Sequence, residues 1–245
     1  MASIVTLDNS MINMIAAGEV IERPANVVKE LLENSIDSGA GCIRVDVADG
    51  GKKLIRVTDN GCGMSGEDLE LSFESHSTSK VRNASDLEAI STLGFRGEAL
   101  ASIASIAQVK AVSRVRDSAQ ANCIEIDCGQ KSAVRPCSGD YGTQIEVRDI
   151  FYKLPGRRKF LKTANTEMNH IISHFTRVGL AHTDLDLIIS HNGRESYRLE
   201  ADEGIRRRIG KLFSADVAEN LIETSFSEKN TEIRALMGTA DISRT

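Results

Sequence analysis

The sequence predicts an α+β fold: a two-layer sandwich of helices on a mixed, mostly antiparallel sheet, with the start of a second α/β domain. Three observations carry this. Alternating apolar segments come in pairs around short turns, at 42–59 and again at 185–199, the pattern of hairpins rather than parallel crossovers. Helical periodicity is confined to a few segments, most clearly 25–38 with Val28, Leu31, Leu32 and Ile36 as its apolar face. The chain has 245 residues, 41% hydrophobic and 27% charged, enough for one domain and part of another.

The elements follow in order. Residues 1–22 are an apolar arm of poor periodicity, and Pro24 stands where a first helical position belongs. The helix at 25–38 stops at Gly39. Strands at 42–47 and 54–59 flank the turn Asp49-Gly50-Gly51-Lys52, and Gly61-Cys62-Gly63 breaks the second strand. A helix is expected at 65–74, loop with a short helix at 76–91, and a small-residue helix at 98–106 after a loop at 91–97. Further strands read at 108–115, 121–128 and 142–147. A basic, helix-rich stretch at 157–182 precedes the hairpin 185–191 and 195–199 around Asn192-Gly193. Phe160 and Phe213 have the spacing of helix core. From Ala201 a helix at 205–213 and strands too few to close a sheet begin another unit. The expected organisation is thus an arm at 1–22, a domain at 23–200 and an opening fragment at 201–245.

Composition narrows the function classes. No apolar run approaches the ~18 residues of a membrane span, and the N-terminus lacks a charged start and long apolar stretch, the first basic residue being Arg23. An intracellular protein is expected, in cytoplasm or nucleus, with no membrane partner. Five cysteines at irregular spacing contain no C-x-x-C pair, which argues for reduced thiols over a zinc ribbon. The net charge of −5 excludes a general polycation, so any nucleic-acid contact must be a local patch.

The helix at 25–38 also carries chemistry. At about 100° per residue, Glu30, Asn34 and Asp37 fall within roughly 60° of one another, opposite Val28 and Leu32. Alone, such a stripe is ordinarily solvated surface. The next segment changes that weighting: Asp59-Asn60-Gly61-Cys62-Gly63-Met64 ends a strand with an acid and supplies glycines where backbone can approach a ligand. An ionised Asp only accepts hydrogen bonds, so it suits the exocyclic amine of adenine and not the carbonyl of guanine. Gly61, Gly63 and Gly66 match a dinucleotide fingerprint by spacing, but a hairpin precedes them where a βαβ unit is required. No P-loop sequence occurs. Leu93-Gly94-Phe95-Arg96-Gly97-Glu98 runs into a helix and can offer backbone N–H groups to phosphate, with hydroxyls and an ammonium from Thr78, Ser79 and Lys80 in support.

At these residues the chain resembles the GHKL ATPase superfamily of gyrase B, histidine kinases and heat-shock chaperones. Residues 30–40, Asp59-Asn60-Gly61-Cys62-Gly63-Met64, residues 93–100 and Gly142-Thr143 are similar to its four ATP-binding motifs. Residues 15–24, 76–80, 94–100 and 151–162 resemble the MutL DNA mismatch-repair proteins specifically, and the likeness runs from about Leu7 to His191. The resemblance implies ATP and Mg²⁺ as cofactors. Glu30 would be the general base, Asn34 the protein ligand of Mg²⁺, Asp59 the adenine reader with Thr143 beside it, and 94–97 a lid over the phosphates. One Asn is sufficient because Mg²⁺ keeps waters and phosphate oxygens.

The resemblance further implies an ATP-gated switch that dimerises, as homodimer or heterodimer, alongside a mismatch-recognition protein and downstream repair enzymes. Family members complete the phosphate site with a lysine beyond residue 245, so binding is expected of this chain before efficient hydrolysis. A topoisomerase ATPase subunit and a nucleotide-responsive scaffold with incidental turnover are the rival readings. Two weaker signals remain. His170 and His174 lie four apart but lack a third metal ligand. Arg157, Arg158, Lys159 and Lys162, and Arg206, Arg207 and Arg208, are basic clusters suited either to solvated helix faces or to weak, sequence-independent DNA contact.

Overall fold

The computed structural model describes residues 11, 17–18, 20–79, 93–94, 97–229 and 231–239. Most of the expected arm therefore lies outside the described residues, although Ala17 and Ile21 are buried in the core. The first helix, α1 (Pro24–Asp37), begins on its proline and turns Val27, Val28, Leu31 and Leu32 inward. Strands β1 (Cys42–Ala48) and β2 (Leu54–Asp59) pair antiparallel across a short 3₁₀ turn, Asp49–Gly51. Helix α2 (Gly66–Leu71) is shorter than expected: Ser65 caps its start and only Leu69 is buried on it.

Helix α3 (Ala99–Ile106) leads into β3 (Gln108–Arg114) and β4 (Ala121–Asp127). Two short strands, β5 (Gln130–Lys131) and β6 (Arg135–Cys137), pair with the β4 edge and carry too few residues to show a period. Strand β7 (Gly142–Arg148) follows. The basic stretch then divides into a single turn, α4 (Pro155–Arg158), and the long α5 (Ala164–Ala181), capped by Thr163. Hairpin β8 (Asp186–His191) and β9 (Arg194–Leu199) closes on Asn192-Gly193, both in the left-handed region.

The strand order is β5-β4-β3-β7-β2-β1-β8-β9, with β6 also on β4, and among the described strands only β1–β8 is parallel. This is the mixed, mostly antiparallel sheet the sequence predicts. Alternation turns Ile43, Val45, Val47, Ile55, Val57, Val147, Leu187 and Ile189 toward α1, α3 and α5, making one layer of core. The other face carries charge in register: Asp46 opposes Arg56, Arg56 opposes Glu146, and Lys110 lies between Glu146 and Glu125. Opposite signs directly across strands favour this register.

From the basic stretch onward the structure departs from expectation in four respects. Helix α6 (Ile205–Leu212) packs on α5 and β9, and Leu212 joins the main core, so the packed unit runs past residue 200. Arg208 is fully buried and is no candidate for DNA contact. It donates to the carbonyls of Gly179, His182, Thr183 and Glu200 at 2.8, 2.9, 3.1 and 2.8 Å, and to that of Leu185. After α7 (Ala215–Glu219), strands β10 (Leu221–Glu228) and β11 (Thr231–Gly238) do form a sheet of their own, of two strands. Phe160 and Phe213, read as core from spacing, are 81% and 59% exposed. Each sits just past the last turn of its helix, where the helical period no longer sets its direction.

Arg208 is the clasp of this region, because removing it takes the donor from five carbonyls, of which those of Gly179 and Leu185 are buried. Arg208→Met should lower stability by about 3–5 kcal/mol in urea unfolding, against no more than about 0.5 for Arg207→Met on the exposed side. Equal effects of the two substitutions would show that Arg208 is dispensable.

Candidate functional site

The site is organised by the C-terminal half of α1. Ser35 points into the fold between Leu31 and Leu32 and donates to Asp59 Oδ2 at 2.8 Å. Gly61 N–H donates to Asp59 Oδ1 at 2.9 Å, and the Thr143 N–H supplies a third bond. Asp59 is 8% exposed at the end of β2. Burial pushes its carboxyl above the usual range, while the Gly61, Ser35 and Thr143 donors pull the other way.

The strands meet tightly here. Gly142 opens β7 at φ 104°, and a Cβ there would come within 2.1 Å of the Asp59 carbonyl, so only glycine lets β7 close on β2. Gly63 turns back at φ 71° against the Arg114 carbonyl. Met64 N–H donates to Ser113 Oγ at 2.8 Å, and Ser113 also bonds the Gly142 carbonyl at 3.1 Å and Thr143 Oγ1 at 2.9 Å. Ser35 and Ser113 were not singled out from the sequence. A signal existed for both, a hydroxyl on the inward register of a helix or strand, where it must find a partner.

Glu30 and Asn34 are half-buried on the adjoining face of α1. Lys29 Nζ reaches Glu30 Oε1 at 3.0 Å and Glu33 Oε2 at 3.1 Å. Asp37, one turn on, accepts from the N–H groups of Leu93 and Gly94 at 3.1 and 3.3 Å. Glu98 meets His76 Nδ1 at 3.1 Å. Gly97, at φ 62°, lies against the Ser77 backbone, where a Cβ would stand 2.6 Å from the Ser77 carbonyl oxygen. Thr78 is half-buried and Ser79 exposed in the same segment. Lys80, Phe95 and Arg96 lie outside the described residues. A cavity of about 450 Å³ lined by Arg114, Gln120, Pro136 and Ser138 opens at the β4–β6 edge, and none of these site residues lines it.

The basic clusters are sorted by packing. Arg157 is half-buried with its guanidinium over Gly18, where a Cβ would fall 1.6 Å from Cζ. Arg158, Lys159 and Lys162 are exposed around Phe160. In the second cluster Arg206 donates to the Ala218 carbonyl at 3.1 Å and Lys211 pairs with Glu203 at 2.5 Å, and both are exposed, as is Arg207. His170 and His174 have no third ligand, since no group of three metal-binding side chains occurs among the described residues. No helix among them is long and apolar enough to cross a membrane.

The Asp59 environment has a pH signature. A folded value above the unfolded one favours the neutral carboxyl, so the protein without nucleotide gains stability at low pH and loses it as pH rises through the Asp59 value. A carbon-13 titration should place the Asp59 carboxyl above the ordinary carboxylate range. Ser35→Ala, by deleting a donor, should push it higher; an unmoved or lower value would show that Ser35 does not stabilise the anion.

Residues 21–145 match the family described as histidine kinase-, DNA gyrase B- and HSP90-like ATPases. The DNA mismatch repair protein MutL of Syntrophobacter fumaroxidans is 43% identical over 244 residues, covering 100% of this chain and 36% of that protein. MutL of Citrobacter koseri is 44% identical over 232 residues, covering 93% and 38%. The chain thus spans little more than a third of the length of these curated relatives. Among solved structures, the Aquifex aeolicus MutL ATPase domain complexed with ADP is 30% identical with a TM-score of 0.70, covering 89% of this chain and 78% of that one. An N-terminal domain of a DNA repair protein superposes with a TM-score of 0.74 at 26% identity, covering 88% and 64%. The chain belongs to the histidine kinase-, DNA gyrase B- and HSP90-like ATPases, and within them to the ATPase domains of MutL proteins.

Proposed function

We propose that this chain is the ATP-binding and slowly hydrolysing region of a mismatch-repair switch, with adenine read by Asp59 and catalysis begun by Glu30. The observation that carries it is the buried Asp59 carboxylate. A carboxylate has about four acceptor positions, and Ser35, Gly61 and Thr143 supply three donors. The remaining capacity suits an amine donor such as that of adenine. Similarity to an ADP-complexed MutL domain supports the same reading.

Glu30 and Asn34 share one half-buried face a helical turn apart. The donor set fits Mg²⁺, which is held by one or two protein oxygens with phosphate and water supplying the rest. The described residues offer no ligand cluster of the kind zinc requires. Asn34 would hold the ion, which neutralises phosphate charge when bound. Glu30 would take the proton of an attacking water. The phosphates would face the N–H groups of Gly97, Glu98 and the first turn of α3, where the first intrahelical bond is Ser102 N–H to the Glu98 carbonyl.

Nucleotide binding would bring two copies together, and DNA would meet Arg158, Lys159 and Lys162. The MutL relatives favour this over a topoisomerase subunit. The unit from β10 onward is inferred to open a second domain, because an isolated two-stranded sheet needs further packing to be stable.

Asp59→Asn should weaken ATP binding by about one to two decades, the loss of a charge-assisted hydrogen bond of roughly 1.5–3 kcal/mol. Glu30→Ala should leave affinity within a few-fold and slow turnover by roughly 10²–10⁴. Equal loss of binding in both variants would make Glu30 structural. Light scattering should show a doubled mass with Mg·ATP and not without it; one mass under both conditions rules out the gated dimer.

On duplex DNA, log affinity should fall with log salt at about −0.9 per phosphate contact. Arg158→Glu with Lys159→Glu should flatten that slope by about two, and Arg206→Glu with Arg207→Glu should leave it unchanged. An unaltered slope in the first double variant would place DNA contact elsewhere.

A further inference from the structure

We propose that Asp37 is a positioning residue that fixes the glycine loop from behind, in place of the direct nucleotide contact expected from its sequence stripe. The inference rests on the nucleotide reading above. Asp37 is the last residue of α1, and no basic side chain accompanies it in that turn. A carboxylate at a helix C-terminus meets the negative end of the helix dipole, an unfavourable place unless donors compensate. The donors are two successive backbone amides: Leu93 N–H to Oδ1 at 3.1 Å and Gly94 N–H to Oδ2 at 3.3 Å. Both carboxylate oxygens are thereby turned to the loop.

Two consequences follow from the same bonds. Amides committed to Asp37 are not the ones assigned to phosphate, and among the described residues the candidate anion-facing donors are those on the other side, from Gly97 onward. That side has its own anchor, the Glu98–His76 pair at 3.1 Å and the close backbone approach of Gly97 to Ser77. Asp37 therefore sets where Leu93 and Gly94 stand against the end of α1, and through them where the phosphate donors stand. Its influence should reach the phosphate end of a nucleotide and not the adenosine end, which depends on Asp59.

The test compares wild type with Asp37→Ala and Asp37→Asn. In the nucleotide-free chain, amide hydrogen exchange at Leu93 and Gly94 should accelerate at least tenfold in Asp37→Ala. By calorimetry, its affinity for Mg·ATP should fall about tenfold while adenosine binding stays within twofold. Asp37→Asn, which keeps one carbonyl acceptor, should recover part of both effects. Unchanged exchange, a matched loss for adenosine and ATP, or tighter ATP binding would each overturn the positioning role. Absence of ATP binding by wild type overturns the nucleotide reading itself, whereas normal wild-type binding with an unaltered Asp37→Ala affinity overturns only this inference.

Discussion

The buried carboxylate of Asp59 is the constraint on which the rest of the site depends. An anion removed from water costs free energy unless donors surround it, and here the donors come from three places in the chain. Ser35 brings α1, Gly61 brings the turn after β2, and the Thr143 N–H brings the start of β7. Satisfying one side chain therefore fixes a helix, a turn and a neighbouring strand relative to one another. The close approach at Gly142 and the three bonds of Ser113 are the packing cost of that convergence.

Helix α1 distributes this constraint along its length. Its inward face is core, Ser35 is its link to Asp59, and Asp37 is its link to the loop at Leu93 and Gly94. Asn34 and Glu30 stand about one and two turns before Asp37 on the polar side, held by the same rigid element. Groups spaced along one helix keep their separation to within its small flexibility, which is what the roles proposed for Glu30 as base and Asn34 as metal ligand require. Elsewhere, charge is kept in balance. Burial alone would lift the Glu146 carboxyl, but hydrogen bonds from Arg56 and Arg148 outweigh it and hold it below the ordinary value. The open face of the sheet is thus a neutralised ladder, whereas Arg158, Lys159 and Lys162 form an exposed basic run beside Phe160.

The fold class and the order of the main elements were legible in the linear chain. These depend on periods of 2 and 3.6 and on turn chemistry, which are local and survive in any linear reading. The stripe of Glu30, Asn34 and Asp37 and the strand-ending Asp59 were legible for that reason. One further local signal was there to be used: Ile205, Arg208, Ile209 and Leu212 share a helical face, so the arginine at 208 belongs to the buried side of an otherwise exposed triplet.

What the polar groups bind became readable once the elements had packed. Asp37 meets amides 56 and 57 residues away, and Ser35 meets Asp59 across 24, separations at which the path of the chain, not the spacing of letters, sets the partner. The same holds for three arginines of similar appearance. Arg208 is consumed by backbone carbonyls, Arg157 lies over Gly18, and Arg158 faces solvent. A guanidinium carries the same charge in each place; burial and the acceptors around it separate structural use from surface electrostatics, and those exist only once the layers have packed.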